Sequence, residues 1–339
     1  EPRRGDRAEQ ARAIAFGRLD LPYAGALLCH DLRRQRPRDN AGKIDYGHAV
    51  EGQHLPLPSY LLHILSDMDT ERNIVNSADA GGMSARMLIL DLLDTGAPPA
   101  FTVAELVRAG AAFGIEAPGI RTALTRLKSE GRVQAFARGR YTIGANAEVL
   151  KQRILGWRTR LERRQPWEGR WLVAVAGPQE RADRTIWRRT LRALDLEGFA
   201  EADANIWVRP DNLERGAAGM RQDLIELDAA PSLFVVEASG LDAARDARFR
   251  TLWQGEALRA SHQRLAARLD ESAAGIDESR LPAAAAETLL LGRQAIRAIM
   301  RDPLLPERLC PSDALAALIA AMTRYDRLGK RIWARYLES

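Results

Sequence analysis

Apolar residues recur with a helical period through most of this chain and give way to short alternating or continuous runs at a few places. The sharpest segment lies between Ala117 and Gly131, where Ile120, Ala123, Leu124 and Leu127 fall at i, i+3, i+4 and i+7 and make one face of a helix. Arg121, Thr122, Thr125, Lys128 and Ser129 look the other way. Pro118 suits a first helical turn, and Gly131 suits the left-handed residue just past a helix end. Upstream, Ser84 can cap a helix through Leu88, Ile89, Leu92 and Leu93. Thr102-Val103-Ala104-Glu105 is a capping box that opens a second, Ala-rich helix to about Ala112, which Gly114 breaks. Downstream the period changes. Residues 132–136, a basic turn Ala137-Arg138-Gly139-Arg140, and Tyr141-Thr142-Ile143 predict a β-hairpin with Gly at its tip.

Helix, helix, helix, hairpin is the order of a winged helix-turn-helix. The outward side of the third helix holds Arg, Lys and Thr and meets no carboxylate until Glu130, which is the face a recognition helix shows to a DNA groove. From Met83 to Asn146 there are eight Arg or Lys against five Asp or Glu. The competing reading is a small helical domain whose charged face is merely solvated. Agreement among helix order, caps and hairpin favours DNA. The candidate DNA contacts are Arg121, Thr122, Thr125, Arg126 and Lys128 on the helix, with Arg138 and Arg140 on the hairpin turn. A single such unit reads few base pairs, so a homodimer on double-stranded operator DNA is expected.

Beyond the hairpin, a basic linker helix is expected over 147–166, with Ile154, Leu155 and Leu161 on its apolar side. Residues 171–176 read as a buried strand, Ala182 to Leu194 as an amphipathic helix, and residues 205–209 as a second strand ended by Pro210. A short helix at about Leu213 to Ala218 and a strand at 232–237 complete a ferredoxin-like α/β unit over 167–240, assigned to dimerisation. The remainder, 241–339, reads as helical: Leu241 to about Trp253, Glu256 to about Ala274, Ala283 to Arg301, and Ser312 to Leu337. The third of these stops at Asp302-Pro303. The fold class expected is therefore α+β and mostly helical.

Several motifs resemble the PaaX-type repressors of phenylacetic acid degradation. They are Ser84-Ala85-Arg86, Phe113-Gly114-Ile115, residues 120–127, Gly131 and Gly139-Arg140-Tyr141. The resemblance continues through Trp167-Glu168-Gly169-Arg170-Trp171 and Gly198-Phe199 to Arg301-Asp302-Pro303-Leu304-Leu305-Pro306. It implies a repressor of an aromatic-acid catabolic operon, released from its operator by an aryl-CoA thioester such as phenylacetyl-CoA. It also implies that 83–146 is the DNA-binding domain and 241–339 the effector-responsive one. A CoA ester needs cations for its phosphates, and Arg293, Arg297 and Arg301 lie at i, i+4, i+8 on one helix; they read equally as ion-pair partners of nearby acids. Where the family's pattern has a Trp-Pro-Gly segment, this chain has Asp313-Ala314-Leu315. In the related small nuclease fold an acid holds metal at the end of the first strand, but here Ala176-Gly177-Pro178 occupies that place, which argues against nuclease chemistry. Residues 1–82 precede the family's usual start at Met83 and read as a poorly structured extension or a flexible arm.

Composition changes this picture little. The 339 residues are 46% hydrophobic and 28% charged, with a net charge of +5. A pI near 9.5 fits a polyanionic partner. The 11 basic and 12 acidic residues of 1–82 argue against an electrostatic arm. His30, His48, His54 and His63 there have no regular spacing, so no metal site is expected. Cys29 and Cys310 cannot form a disulfide scaffold, and a reducing, cytoplasmic setting without a membrane span follows. Gly329-Lys330 lacks the upstream glycine of a phosphate loop and His-Glu-x-x-His is absent. No catalytic residue, metal or cofactor is therefore expected; the alternatives are a CoA-ester-binding enzyme or a protein-interaction module that does not bind DNA.

Overall fold

The computed structural model describes residues 83–94, 100–144 and 155–339. All of them fall in the second of two units into which the chain divides, Leu55–Ser339. Residues 1–82, with four histidines and Cys29, lie outside the described residues, as does 147–154 of the expected linker helix. What is described is a mostly helical α+β structure with two small antiparallel sheets. No helix among the described residues is long and apolar enough to cross a membrane.

The first part runs α1 (Ala85–Asp94), β1 (Phe101–Thr102), α2 (Val103–Ala111), α3 (Ala117–Ser129), β2 (Val133–Ala137) and β3 (Arg140–Ile143). Ser84 Oγ accepts the Met87 N–H at 3.2 Å at the start of α1. At α2 both capping-box bonds form: Thr102 Oγ1 accepts from the Glu105 N–H at 3.1 Å, and the Glu105 carboxylate accepts the Thr102 N–H at 2.6 Å. The strands lie in the order β1-β3-β2. β1 was not visible in the sequence, because two residues leading into a helix cap show no alternation. Leu88, Ile89, Leu93, Phe101, Leu106, Ile120, Leu124, Leu127, Val133 and Ile143 close one core, each buried side chain contributing about 2 kcal/mol.

Gly156–Arg163 forms a 3-10 helix where an α-helix was expected. Trp157 and Arg160, three apart, are both buried, which is the spacing a three-residue turn brings onto one side. A β-α-β-β-α-β order follows: β4 (Trp171–Val175), short α4 (Pro178–Ala182), α5 (Arg184–Leu196), β5 (Ala200–Asp203), β6 (Ile206–Pro210), α6 (Gly216–Glu226) and β7 (Phe234–Ala238). The sheet order is β5-β6-β4-β7 with every neighbouring pair antiparallel. Several boundaries differ from expectation, Pro210 lying within β6 rather than ending it, and two of them have a clear local cause. α5 starts at Arg184, because the Asp183 carboxylate accepts the N–H groups of Thr185 and Ile186. The helix expected at Leu213 to Ala218 begins only at Gly216, since Leu213 turns into the core and Arg215 sits at φ 71°.

The last part is α7 (Ala243–Arg250), α8 (Gly255–Gly275), α9 (Leu281–Arg301) and α10 (Asp313–Glu338), with α8 and α9 packed on α10. The Asp302 to Pro306 segment after α9 is held against the middle sheet. Arg209, fully buried, donates to the carbonyls of Glu197 and Pro303, and Asn212 Nδ2 donates to the Leu304 carbonyl at 2.7 Å. At the other end, Leu289 of α9 and Trp333 and Leu337 of α10 pack on the core of the first part. Tyr336 Oη donates to the Arg108 carbonyl at 2.7 Å, and an Arg108 Nη donates to the Leu337 carbonyl.

Candidate nucleic-acid interface

α3 divides cleanly into two sides. Ile120, Leu124 and Leu127 are buried, while Arg121, Thr122, Thr125, Arg126, Lys128 and Ser129 are exposed. Its end is a Schellman turn: the Gly131 N–H donates to the Lys128 carbonyl at 3.1 Å and the Arg132 N–H to the Leu127 carbonyl at 2.9 Å, with Gly131 at φ 67°. Only a residue without Cβ adopts that conformation freely, and it feeds the chain directly into β2. Two hydroxyls on the outer side are partly committed. Thr125 Oγ1 donates to the Arg121 carbonyl at 3.0 Å and Ser129 Oγ to the Arg126 carbonyl at 2.8 Å. Both keep lone pairs to accept from a ligand, but Thr122 is the freer donor.

The electrostatics of this side are set by Glu130. Its carboxylate accepts two bonds from Arg86, at 3.0 and 2.7 Å, and lies 3.2 Å from Arg132 Nε. The Arg86 guanidinium holds this carboxyl below the ordinary carboxylate value of 4.5, so it is ionised and already neutralised. Among the described residues no carboxylate lies within ion-pair distance of Arg121, Arg126, Lys128 or Arg138, although Arg126 is near enough to Glu130 to help hold it ionised. These cations face water, where they can exchange counterions for phosphates.

The hairpin behaves differently at its two arginines. Arg138 stands exposed on the two-residue turn, beside Gly139 at φ 74°. Arg140 is half-buried, and its Nη2 donates to the Ala100 carbonyl at 2.7 Å, pinning β3 to the start of β1. Of the residues expected at this interface, Arg121, Thr122, Arg126, Lys128 and Arg138 are free on the surface, whereas Arg140 works within the fold. The sequence reading missed Phe136, which is 62% exposed on β2; its strand pattern alone gave no sign of which way it would point.

The three arginines of α9 are engaged. Arg293 Nη1 lies 2.6 Å from Asp91 of α1, both side chains being mostly buried, and Arg301 Nη2 lies 2.8 Å from Asp195 of α5. Arg297 is half-buried and also has a partner. The ion-pair reading is the one that describes Arg293 and Arg301.

A small cavity is lined by Leu161, Arg164, His262, Asp302, Leu305 and Cys310. His262 of α8 is buried, with Nε2 3.6 Å from an Asp302 oxygen. Burial lowers the His262 imidazole below 6.5 and raises the Asp302 carboxyl above 3.8. Burial also pushes the Cys310 thiol up to about 11, so at neutral pH it remains a thiol and is a poor nucleophile.

Three helices and a hairpin on one core, with an unpaired cationic outer side, define a compact module suited to a polyanion. The same stretch, residues 84–144, matches the family model described as PaaX-like protein. The PaaX resemblance read from the sequence is borne out over these residues, and it supports a regulator role for the chain. Among solved structures, the chain is similar to the uncharacterized protein Rv0674 from Mycobacterium tuberculosis, at a TM-score of 0.51 and 25% identity, covering 75% of this chain and 98% of that one. No curated protein matches it.

Proposed function

We propose that this protein is a DNA-binding transcriptional repressor of an aromatic-acid catabolic operon, located in the cytoplasm. Residues 83–146 act as a winged helix-turn-helix, 167–240 as a ferredoxin-like dimerisation unit, and 241–339 as the effector-responsive part. The observation that carries the reading is the outer side of α3. Among the described residues no carboxylate lies within ion-pair distance of its Arg121, Arg126 or Lys128, while the one acid at that end, Glu130, is held chiefly by Arg86 and Arg132. On this reading Arg121 and Thr122 reach base edges or phosphates, Thr125 accepts, and Arg126, Lys128 and Arg138 contact the backbone. Arg140 positions the hairpin.

The homodimer supplies two α3 helices at a half-site spacing. An aryl-CoA thioester such as phenylacetyl-CoA releases the operator by binding better to a dimer whose helices no longer match that spacing; without unequal affinity it would shift nothing. The packing of Leu289, Trp333 and Leu337 onto the α1–α3 core offers a direct route for that shift. Because Arg293 and Arg301 are paired, effector phosphates would have to displace Asp91 and Asp195 to reach them.

A gel shift with DNA upstream of its own gene cluster, repeated with a panel of aryl-CoA thioesters, tests this function. Retention of the duplex, reversed by one thioester and not by free CoA, is the result expected. Turnover of the thioester, or no retention at any salt concentration, would contradict it.

A further inference from the structure

Strand β2 carries one residue more than its partner. Ala135 faces Tyr141 and Ala137 faces Arg140, so two steps along β2 answer a single step along β3. Phe136 is the extra residue of a β-bulge, a device that re-aims the side chain it carries. It stands on an edge strand of the β1-β3-β2 sheet and, at 62% exposure, is the most exposed large apolar side chain among the described residues. Leaving a phenylalanine in water forgoes a substantial burial free energy, which an occupant of this position would recover.

Its surroundings say which occupant. Exposed Arg138 follows two residues later on the turn, and α3, with exposed Arg126 and Lys128, runs through Gly131 into the same strand. Among the described residues one other phenylalanine is exposed, Phe234 at 59%, but it lies in β7 with exposed Glu237, next to α6 and its exposed Glu226. That setting does not select a polyanion. An apolar side chain projecting from a basic hairpin has the composition of a minor-groove wedge, in which cations hold the phosphates while the ring enters between base pairs.

We propose that Phe136 is such a wedge. It enters the minor groove of duplex DNA beside Arg138, partly unstacks one base step and bends the duplex. The inference rests on the DNA-binding reading of α3 and the hairpin, and adds to it a deformed duplex and a preference for flexible pyrimidine–purine steps. Because the ring carries no charge, its share of the affinity is independent of counterion release.

The test uses the full chain and a mixed-sequence duplex carrying 2-aminopurine at a TA step, at low salt where non-specific retention suffices. Affinity, salt slope, end-to-end energy transfer and 2-aminopurine fluorescence are measured for the wild type, Phe136→Ala, Phe136→Leu and Arg138→Ala. Phe136→Ala is expected to bind roughly tenfold more weakly with an unchanged salt slope, and to lose both the bend and the fluorescence rise. Phe136→Leu keeps most of each, and also serves if the alanine variant fails to fold. Arg138→Ala lowers the slope and keeps the bend. Wild-type affinity and bend in Phe136→Ala would overturn the wedge while leaving the DNA-binding reading intact. A change from dimer to monomer in sedimentation of Phe136→Ala would overturn it too, by assigning the ring to a second copy of the chain. Failure of the wild type to retain any duplex would sink the wedge and the DNA-binding reading together.

Discussion

α3 and α9 look alike in the sequence and differ in the fold. α3 shows Arg121, Arg126 and Lys128 on one side; α9 shows Arg293, Arg297 and Arg301. On α3 the cations have no carboxylate partner among the described residues, and on α9 each is engaged, Arg293 by Asp91 and Arg301 by Asp195. A row of arginines on a helix face therefore carries two opposite meanings. Unpaired, it is available to an external polyanion; paired with distant acids, it fastens one part of the chain to another. Counting charges does not separate the two cases, whereas the positions of the acids do.

The largest effect that could break this comparison lies at Arg293. Its partner Asp91 is buried, so Arg293→Ala removes a short ion pair from a buried carboxylate between α1 and α9 and should destabilise the protein by about 3 kcal/mol in urea unfolding. Replacing both partners with apolar residues of similar size should recover much of that loss. A single variant with unchanged stability would mean that the pair does not fasten the two parts.

Arg121→Ala should do the reverse. It is expected to weaken duplex binding about tenfold, measured by anisotropy, and to leave the melting temperature in place, because the side chain is exposed and makes no hydrogen bond or ion pair with the other described residues. Loss of stability with full DNA affinity would exchange the roles of the two helices.

A smaller effect follows from His262 of α8, which packs against the segment that ends α9. Burial holds His262 below its ordinary value of 6.5, so the folded state binds fewer protons there than the unfolded chain. Stability should accordingly fall as pH drops through about 6.5, and His262→Gln should flatten that fall. Buried Asp302 is shifted upward and would soften the decline. The smallest effect is at Arg301, whose pair with Asp195 is half open to water; Arg301→Ala should cost less than about 1 kcal/mol, and less still in high salt.

Much of the first part was legible in the sequence, since its signals are local. A cap at Ser84, a capping box at Thr102 and Glu105, Pro118 and Gly131 around an amphipathic α3, and a Gly-tipped hairpin each fix the chain within a few residues. Strand β5 was not legible: Ala200-Glu201-Ala202-Asp203 consists of poor strand formers, held extended by pairing with β6. The pairing of Arg293 could not be read either, because Asp91 lies 202 residues away and only the packing of α9 on α1 joins them. Phe136 was hidden for a related reason. A single-residue bulge reverses which way a strand side chain points, and nothing in the alternation of residues 133–137 announces one.

The central claim is that the outer side of α3 meets duplex DNA through cations that the fold leaves unpaired. The most direct measurement is the salt dependence of duplex affinity for the wild type and for the combined Arg121→Ala, Arg126→Ala, Lys128→Ala variant. A slope of log affinity against log salt that falls by about three units in the variant, with its melting curve unchanged, is the result predicted. Equal slopes for the two proteins, or a wild type that retains no duplex at low salt, would contradict it.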